Sequence, residues 1–131
     1  MTTGGRCATL RAATLAAALA FTGCARIEVH YPDGRTASMS KAEFKAYVRE
    51  VFRRQNHATD RLIARLDGGS GDAALEAAED AMQAACAPLI DLVQAKVDRR
   101  RLPLAEKLEM PHVAPACEAA VAKVEVLLPS P

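Results

Sequence analysis

Large side chains are scarce in this sequence. Its 131 residues include no Trp, two Tyr and three Phe, whereas 28 are Ala. Half of the residues are nominally hydrophobic, but a small side chain buries little apolar area, so this fraction overstates the core that the chain can build. Length and composition together exclude a large β-sandwich, a Rossmann-type enzyme and a protein with several membrane spans.

The sequence also lacks an excess of charge and a catalytic motif. With 17 basic and 16 acidic residues, it has no basic surplus of the kind that nucleic-acid-binding proteins carry. The glycine-rich run at 68–71 has no Lys for a phosphate loop. The three His residues, His30, His57 and His112, are not spaced for a catalytic triad or a metal site. We expect no enzymatic activity, no cofactor, no metal site and no nucleic-acid partner.

The first 23 residues have the pattern of a secretory signal peptide. Arg6 and Arg11 precede an apolar run at 12–21, and no acid occurs in this stretch. A basic head, a short apolar run and small residues are typical of a peptide that directs export. As a helix, the run would be about 15 Å long, which is half of a hydrocarbon core and too short to span it.

The end of this leader resembles the lipobox of bacterial lipoproteins. The stretch Ala20-Phe21-Thr22-Gly23-Cys24 ends in the Cys that this class acylates. The resemblance implies cleavage before Cys24, acylation of Cys24 with diacylglyceryl, palmitate or similar chains, and a mature protein anchored by its first residue. Phe21 departs from the usual Leu, and ordinary cleavage after residues 18–20 is the alternative. Ala25, where an Asp favours the inner membrane, implies the periplasmic face of the outer membrane.

Cys86 and Cys117 are predicted to form a disulfide. They are the pair that remains once Cys7 leaves with the leader and Cys24 becomes the anchor. An even number of Cys in an oxidising compartment favours a bridge, which the chain-entropy model values at roughly 3 to 4 kcal/mol. A redox pair has closer spacing, and a zinc site needs more ligands nearby.

An extended segment is predicted before the helices. Residues 26–31 alternate between apolar and polar side chains, which is typical of a half-buried strand. Pro32-Asp33-Gly34 is a turn sequence, and residues 35–39 can return as a second strand. Because a lone hairpin is marginally stable in water, residues 24–39 are predicted to be either a hairpin packed on the helices or a loose tether.

Helical spacing of apolar residues extends over 40–128. Ser40 and Glu43 form a capping box that starts the first helix, which ends in the glycine-rich run. Asp72 is the predicted N-cap of the second helix. The predicted inward-facing residues of these two helices are Phe44, Tyr47, Val48, Val51, Phe52, Leu62, Ile63 and Leu66, and then Leu75, Met82, Cys86, Leu89, Ile90, Val93 and Val97. The aromatic residues at 44–52 predict that the core is thickest there.

Prolines divide the last part of the chain in this prediction. Pro88 is expected to kink the second helix, which stops before Pro103. Pro111 and Pro115 are expected to break the chain, so that a short helix at 104–110 precedes a third helix at 115–128. Its predicted inward-facing residues are Cys117, Val121, Val124 and Leu128.

The predicted fold class is mainly all-α. We expect a small antiparallel bundle of three helices, stapled by the Cys86–Cys117 disulfide, with the hairpin or tether on its N-terminal side. Residues 129–131 are expected to be a frayed tail.

Charge is unevenly distributed along the predicted helices. Residues 41–65 contain seven basic and three acidic residues, residues 67–91 six acidic and no basic ones, and residues 96–101 four basic and one acidic. If the first two helices form a hairpin, Arg61 and Arg65 lie beside acids of the second helix. Internal charge complementarity then accounts for part of the pattern.

The other interpretation is an anion-binding pole. The start of the first helix and the end of the second meet at one end of such a hairpin, near Cys24. We hypothesise that this end rests on anionic lipid head groups or another envelope anion. Its predicted members are Lys41, Lys45, Lys96, Arg99, Arg100 and Arg101.

The sequence therefore predicts a small, membrane-anchored envelope lipoprotein that serves as a binding or structural accessory and has no catalytic activity. Two alternatives stay open. One is a periplasmic inhibitor or immunity-type protein that binds a partner protein through a helical face. The other is a weak metal-binding protein that uses Met110 and His112.

Overall fold

The computed structural model describes residues 25–69 and 72–129. It contains one two-stranded antiparallel sheet followed by three helices. The elements are β1 (Arg26–His30), β2 (Thr36–Ser40), α1 (Lys41–Leu66), α2 (Ala73–Val97) and α3 (Leu104–Leu127). The fold is mainly helical, as predicted. The leader with Cys24, and the end of the predicted tail at 130–131, lie outside the described residues.

The N-terminal segment is a hairpin and not a loose tether. Its strands pair in a register that places Val29 opposite Ala37. Gly34 makes the turn with φ of 87°, a conformation that glycine adopts without strain. Val29 is fully buried, and the His30 ring stacks on His112 of α3 with 4.4 Å between ring centroids. Packing against the helices stabilises a hairpin that would be marginal alone.

α1 follows β2 directly. Ser40 ends the strand and caps the helix: its hydroxyl accepts a hydrogen bond from the Glu43 amide at 3.2 Å, and the Glu43 carboxylate accepts one from the Ser40 amide at 2.6 Å. The predicted capping box is thus confirmed. The polar stretch at 55–60 does not interrupt the helix, because Gln55 and Ala58 face the bundle interior.

The start of α2 is also as predicted. The Asp72 carboxylate accepts a hydrogen bond from the Ala74 amide at 3.0 Å and caps the helix. The helix continues through the exposed Pro88 and ends at Val97. Arg99, just beyond it, has a φ of 55°.

The predicted break before the third helix is wrong. α3 is one helix of 24 residues, and both Pro111 and Pro115 lie inside it. Each proline removes one helical hydrogen bond. Pro115 is fully buried, and Met110 and Cys117 on the same helix are buried against the core. Tertiary packing along one face of the helix outweighs the lost hydrogen bonds.

The core lies mainly between α2 and α3, which make the most extensive contact in the fold. The predicted disulfide between Cys86 and Cys117 is present, with 4.6 Å between the Cα atoms. α1 packs more on α3 than on α2, so the assumed hairpin of the first two helices is not the main contact of α1. The fully buried side chains of the helices include Val51, Leu62, Leu75, Met82, Leu89, Val121 and Val124.

Three residues predicted to face inward are exposed. Ile63 of α1 is 55% exposed, and Ile90 and Val97 of α2 are 38% and 72% exposed. The face that each helix packs against the rest of the bundle is narrower than its pattern of apolar residues. All four predicted inward-facing residues of the third helix are buried. Of the predicted residues of α2, Leu75, Met82, Cys86 and Leu89 are buried, and Val93 is half-buried. The side chain of Leu66 lies outside the described part of the structure.

Candidate functional site

The aromatic residues of α1 line a surface groove and not the centre of the core. Phe44 and Phe52, together with Val48 between them, are half-buried and form one side of a groove of about 570 Å³. The prediction of a core that is thickest at 44–52 is therefore wrong. These three residues recur every four positions, so they form one stripe along α1.

The floor of the groove is apolar throughout. α2 contributes Leu92 and Val93, α3 contributes Met110, and β1 contributes Ile27. Only Met110 among the floor residues is buried, and the others are half-buried. Phe44 and Phe52, two of the few large apolar side chains of this protein, are thus partly exposed in the groove. Exposed aromatic side chains in a concave apolar surface are typical of a ligand pocket.

The rim of the groove is basic. Lys41, Lys45 and Arg49 form a second stripe along α1, beside the apolar one and with the same spacing of four. α2 adds Lys96 and α3 adds Lys107, and all five side chains are exposed. Because the two stripes run side by side along α1, the apolar wall of the groove has cations along its edge.

No carboxylate lines the groove: none of its lining residues in the described part of the chain is Asp or Glu. Within the described residues, no salt bridge involves a rim cation, whereas Arg54 and Arg100 elsewhere are paired with carboxylates. Five cations around one apolar groove favour a ligand or surface that carries negative charge.

The predicted basic pole is brought together in part. Lys41, Lys45 and Lys96 lie on the rim of the same groove. Arg49 was missed, although it continues the spacing of four from Lys41 and Lys45. Lys107 was missed because the assumed break in the chain separated it from the rest of α3.

The three arginines of the predicted pole lie in the connection between α2 and α3, outside the groove lining. All three are exposed, and Arg100 forms a salt bridge with Asp91 at 2.6 Å. The connection is flanked by Val97, Leu104 and Leu108, which are between 65% and 72% exposed. We call residues 97–108 the tip. The first six residues of α3 are all exposed.

A polar cluster on another face joins α1 to α3. Tyr47 donates its hydroxyl to Glu118 at 2.6 Å, while Arg54 donates to Glu118 at 3.1 Å and to both carboxylate oxygens of Glu125. Burial, and next the hydrogen bond to Glu118, raises the pKa of the Tyr47 hydroxyl. The side-chain hydrogen bond to Glu125 raises the pKa of Arg54. These groups satisfy one another, which indicates a structural role.

This cluster also shows how the charge of α1 is balanced. The pairing of Arg61 and Arg65 with acids of α2, expected from the sequence, is not among the salt bridges of the described residues. Arg61 donates instead to the backbone carbonyl of Pro129. Among the described residues, the ion pairs of α1 with another helix are those of Arg54 with Glu118 and Glu125 of α3.

The described residues contain no group of three metal-ligating His, Cys, Asp or Glu side chains. Met110 is buried at the groove, whereas the exposed His112 stacks on His30 of β1. The two imidazole planes differ by 6°, so the lone pairs of their ring nitrogens lie in near-parallel planes and do not converge on one ion.

None of the described helices combines the length and apolarity that crossing a bilayer requires. No family model, curated protein or solved structure matches this chain. The groove, whose floor is apolar and whose rim carries cations without carboxylates, is the candidate binding site.

Proposed function

We propose that the protein is a lipid-anchored binding accessory of the bacterial envelope, without catalytic activity, that rests its basic pole on the anionic surface of the membrane. The basic pole consists of the five rim cations together with Arg99, Arg100 and Arg101. The observation that carries the proposal is the cluster of cations around an apolar groove that no carboxylate lines.

The anchor enters the proposal through the lipobox resemblance at Cys24. Arg26 pairs with Ser40, and Ser40 directly precedes the rim residue Lys41. Two residues of chain span at most about 7 Å. An acylated Cys24 is therefore attached close to the start of α1, on the side of the molecule that carries the rim, which supports an arrangement with the pole facing the membrane.

The lipid and the basic pole make separate contributions to the free energy of membrane binding. Two acyl chains hold a protein on a membrane stably, whereas one holds it marginally. Each basic residue close to an anionic surface contributes about 1 kcal/mol more. The exposed Val97, Leu104 and Leu108 of the tip add apolar contact. In this proposal the lipid supplies attachment and the pole sets orientation.

The compartment follows from the same resemblance. Ala25 after the acylated Cys favours the periplasmic face of the outer membrane. The Cys86–Cys117 disulfide agrees with export, because bridges persist in the periplasm and are rare in the cytosol.

Vesicle binding tests the pole. The described elements, the disulfide and the core all lie between Arg26 and Leu128, so the chain from Ala25 onward contains the whole described fold. We expect it to bind phosphatidylglycerol vesicles and not phosphatidylcholine vesicles. Lys45→Glu removes one attraction and adds one repulsion, about 2 kcal/mol, which weakens binding roughly 30-fold.

The matched control is Lys123→Glu, which makes the same charge change far from the pole. Lys123 lies sixteen residues along α3 from Lys107, about 24 Å away. We expect its effect on vesicle binding to be less than threefold. An equal loss in both variants would show that net charge and not the pole governs binding.

Radiolabelled palmitate tests the anchor. The full chain should incorporate the label in a bacterial host, and Cys24→Ser should abolish it. Label that persists in Cys24→Ser contradicts the lipobox, and an unprocessed N-terminus by intact mass contradicts export.

The alternative is an inhibitor or immunity-type protein that binds a partner protein. A second, mainly apolar surface at the α2–α3 boundary favours it, and Val126 in this surface is 84% exposed. Its lining residues are Ala78, Ala122, Lys123, Val126 and Leu127. Capture of one defined envelope protein that is lost in Val126→Lys and kept in Lys45→Glu would support this alternative.

A further inference from the structure

The groove has two chemically different parts, and one ligand must satisfy both. The floor offers apolar side chains that, apart from the buried Met110, are half-buried in the folded protein. The rim offers five exposed cations and no carboxylate. A small aqueous anion leaves the floor unused, and an uncharged acyl chain leaves the rim unused. An amphiphile with an anionic head uses both parts.

We infer that the groove binds one acyl chain of an anionic phospholipid, with the phosphate of the lipid at the rim. The inference deepens the proposed function and rests on it in one respect: the membrane beside the anchor is the source of the lipid. Uptake of an acyl chain goes beyond the proposed function, because a basic surface can bind charged head groups without taking up a chain.

The dimensions of the groove suit a chain. Phe44, Val48 and Phe52 form an apolar wall along α1. The eight residue steps from Phe44 to Phe52 correspond to about 12 Å. The volume of about 570 Å³ lies within the range of roughly 300 to 1,000 Å³ that small-molecule pockets occupy. Lys41, Lys45 and Arg49 run parallel to this wall, so a chain lying along it keeps its head group within reach of cations.

The position of the groove suits a lipid taken from the membrane. Ile27 of β1 is part of the floor and lies three residues after Cys24. The chain between them spans at most about 11 Å. A protein held by Cys24 therefore keeps the groove close to the surface from which a lipid would come.

The rim decides which lipid binds. An acyl chain that moves from a bilayer to an apolar groove exchanges one apolar environment for another, so the chain alone provides little selectivity. Hydrogen bonds from Lys or Arg to a phosphate are charge-assisted and strong. The net charge of the whole lipid matters as well, because a choline beside the phosphate would be repelled by the same cations.

The direct test uses lysolipids with one chain, below their micelle concentration. The chain from Ala25 onward is titrated by calorimetry with lauroyl-lysophosphatidylglycerol, with lauroyl-lysophosphatidylcholine and with glycerophosphoglycerol, which has the head group and no chain. We expect one lysophosphatidylglycerol per protein, at least tenfold weaker binding of the choline lipid, and no measurable binding of glycerophosphoglycerol.

Chain length tests the floor without a substitution that could disturb folding. Each buried methylene contributes about 0.8 kcal/mol, which is a fourfold change in affinity. Extending the chain of lysophosphatidylglycerol from eight to ten carbons, which stays within the apolar wall of about 12 Å, should therefore tighten binding roughly fifteenfold. Affinity that does not depend on chain length would overturn the inference, because it would show binding to the charged surface alone.

A charge-reversed pair of variants tests the rim. Lys45→Glu with Arg49→Glu changes two exposed rim residues and should weaken lysophosphatidylglycerol binding more than 30-fold while leaving the choline lipid little changed. The matched control, Arg99→Glu with Arg101→Glu, makes the same charge change at exposed residues outside the groove. It should alter lysolipid binding less than threefold. A larger loss in the control than in the rim variant would overturn the inference.

The same proteins separate this inference from the proposed function. The control pair should weaken vesicle binding, because both arginines belong to the basic pole, and yet retain lysolipid binding. Vesicle binding without lysolipid binding leaves the proposed function standing and overturns the groove assignment. Lysolipid binding without vesicle binding supports the groove and contradicts the membrane-facing pole.

Three further outcomes assign the groove to another occupant and overturn the inference. The first is lysolipid binding that is lost when Cys24 is acylated, which indicates the protein's own lipid. The second is a stable dimer that dissociates in the rim variant, which indicates a second copy. The third is an acidic amphipathic peptide that displaces lysophosphatidylglycerol at lower concentration than the lipid itself.

Discussion

Tyr47 on α1 donates its hydroxyl to the carboxylate of Glu118 on α3 across 2.6 Å, and Arg54 donates to the same carboxylate at 3.1 Å. The three residues are half-buried. This contact ties α1 to its main neighbour and extends to Glu125 through Arg54. It lies away from the groove, so its role is in the stability of the bundle that holds the groove open.

We expect Tyr47→Phe to destabilise the protein by about 1 to 2 kcal/mol, because the half-buried Glu118 loses a hydrogen bond to its charged form. The measurement is urea unfolding of the chain from Ala25 onward. The control is Arg53→Ala, which removes an exposed pair with Glu50 and should cost less than about 0.5 kcal/mol. Equal effects of the two changes would contradict the role of Glu118.

Alkaline pH should weaken the fold through the same hydroxyl. Burial and the hydrogen bond to Glu118 raise the pKa of Tyr47 above its ordinary value of 10.0. The unfolded chain therefore loses this proton first, so the contribution of Tyr47 to stability is present below pH 10 and is lost as the pH rises further.

The measurement is the free energy of unfolding between pH 8 and pH 11. We expect a decline of at most about 1.4 kcal/mol per pH unit above pH 10, reduced by solvent screening of a half-exposed group. Tyr47→Phe should flatten this decline. A decline that persists unchanged in Tyr47→Phe assigns it to other groups.

Reduction of the disulfide should destabilise the bundle. Cys86 and Cys117 are separated by 31 positions, for which loop-closure entropy predicts about 3 to 4 kcal/mol. We expect a corresponding fall in the urea midpoint when reductant is added. The variant Cys86→Ala with Cys117→Ala should be unstable to a similar extent and insensitive to reductant. A reductant effect that remains in this variant would contradict the assignment.

Pro111→Ala should stabilise the protein by about 1 to 2 kcal/mol. In the continuous α3 this change restores an amide donor for the carbonyl of Lys107, and greater freedom of the unfolded chain offsets part of the gain. Urea unfolding measures the change. If the helix were broken at Pro111, no such hydrogen bond could form and the variant would be neutral or less stable. Pro32→Ala, in the hairpin turn, serves as a control that should not stabilise.

Local signals in the sequence were sufficient for much of the fold. Ser40 and Glu43 bond within one helical turn, Asp72 caps its own helix, and Pro32 to Gly34 form a turn between alternating strands. These interactions involve neighbouring residues, so the residue types and their spacing predict them. The disulfide was also predictable: with Cys7 assigned to the predicted leader and Cys24 to the predicted lipobox, Cys86 and Cys117 are the pair that remains.

The groove could be identified only from the tertiary structure. The spacing of four that relates Lys41, Lys45 and Arg49 is present in the sequence, but the helical pattern alone does not reveal whether the neighbouring Phe44 and Phe52 pack in the core or line a surface. That depends on which helix covers them. α1 packs mainly on α3, and this leaves one apolar stripe of α1 half-exposed.

The amino-acid sequence by itself determined the turn at 32–34, the starts of α1 and α2, the disulfide and the mainly helical class. The turn and the two helix starts depend on residues close in the chain, and the disulfide joins the pair that remains beside the predicted leader and lipobox. Packing on the helices decided that residues 26–40 form a hairpin and not a loose tether. Only the tertiary structure decided that α3 continues through Pro111 and Pro115 and so carries Lys107 to the rim. The lost hydrogen bond and the steric clash of a proline favour a break in the helix. Packing of α3 against α2 outweighs that cost, and this packing joins residues that are far apart in the sequence, so local sequence patterns do not reveal it.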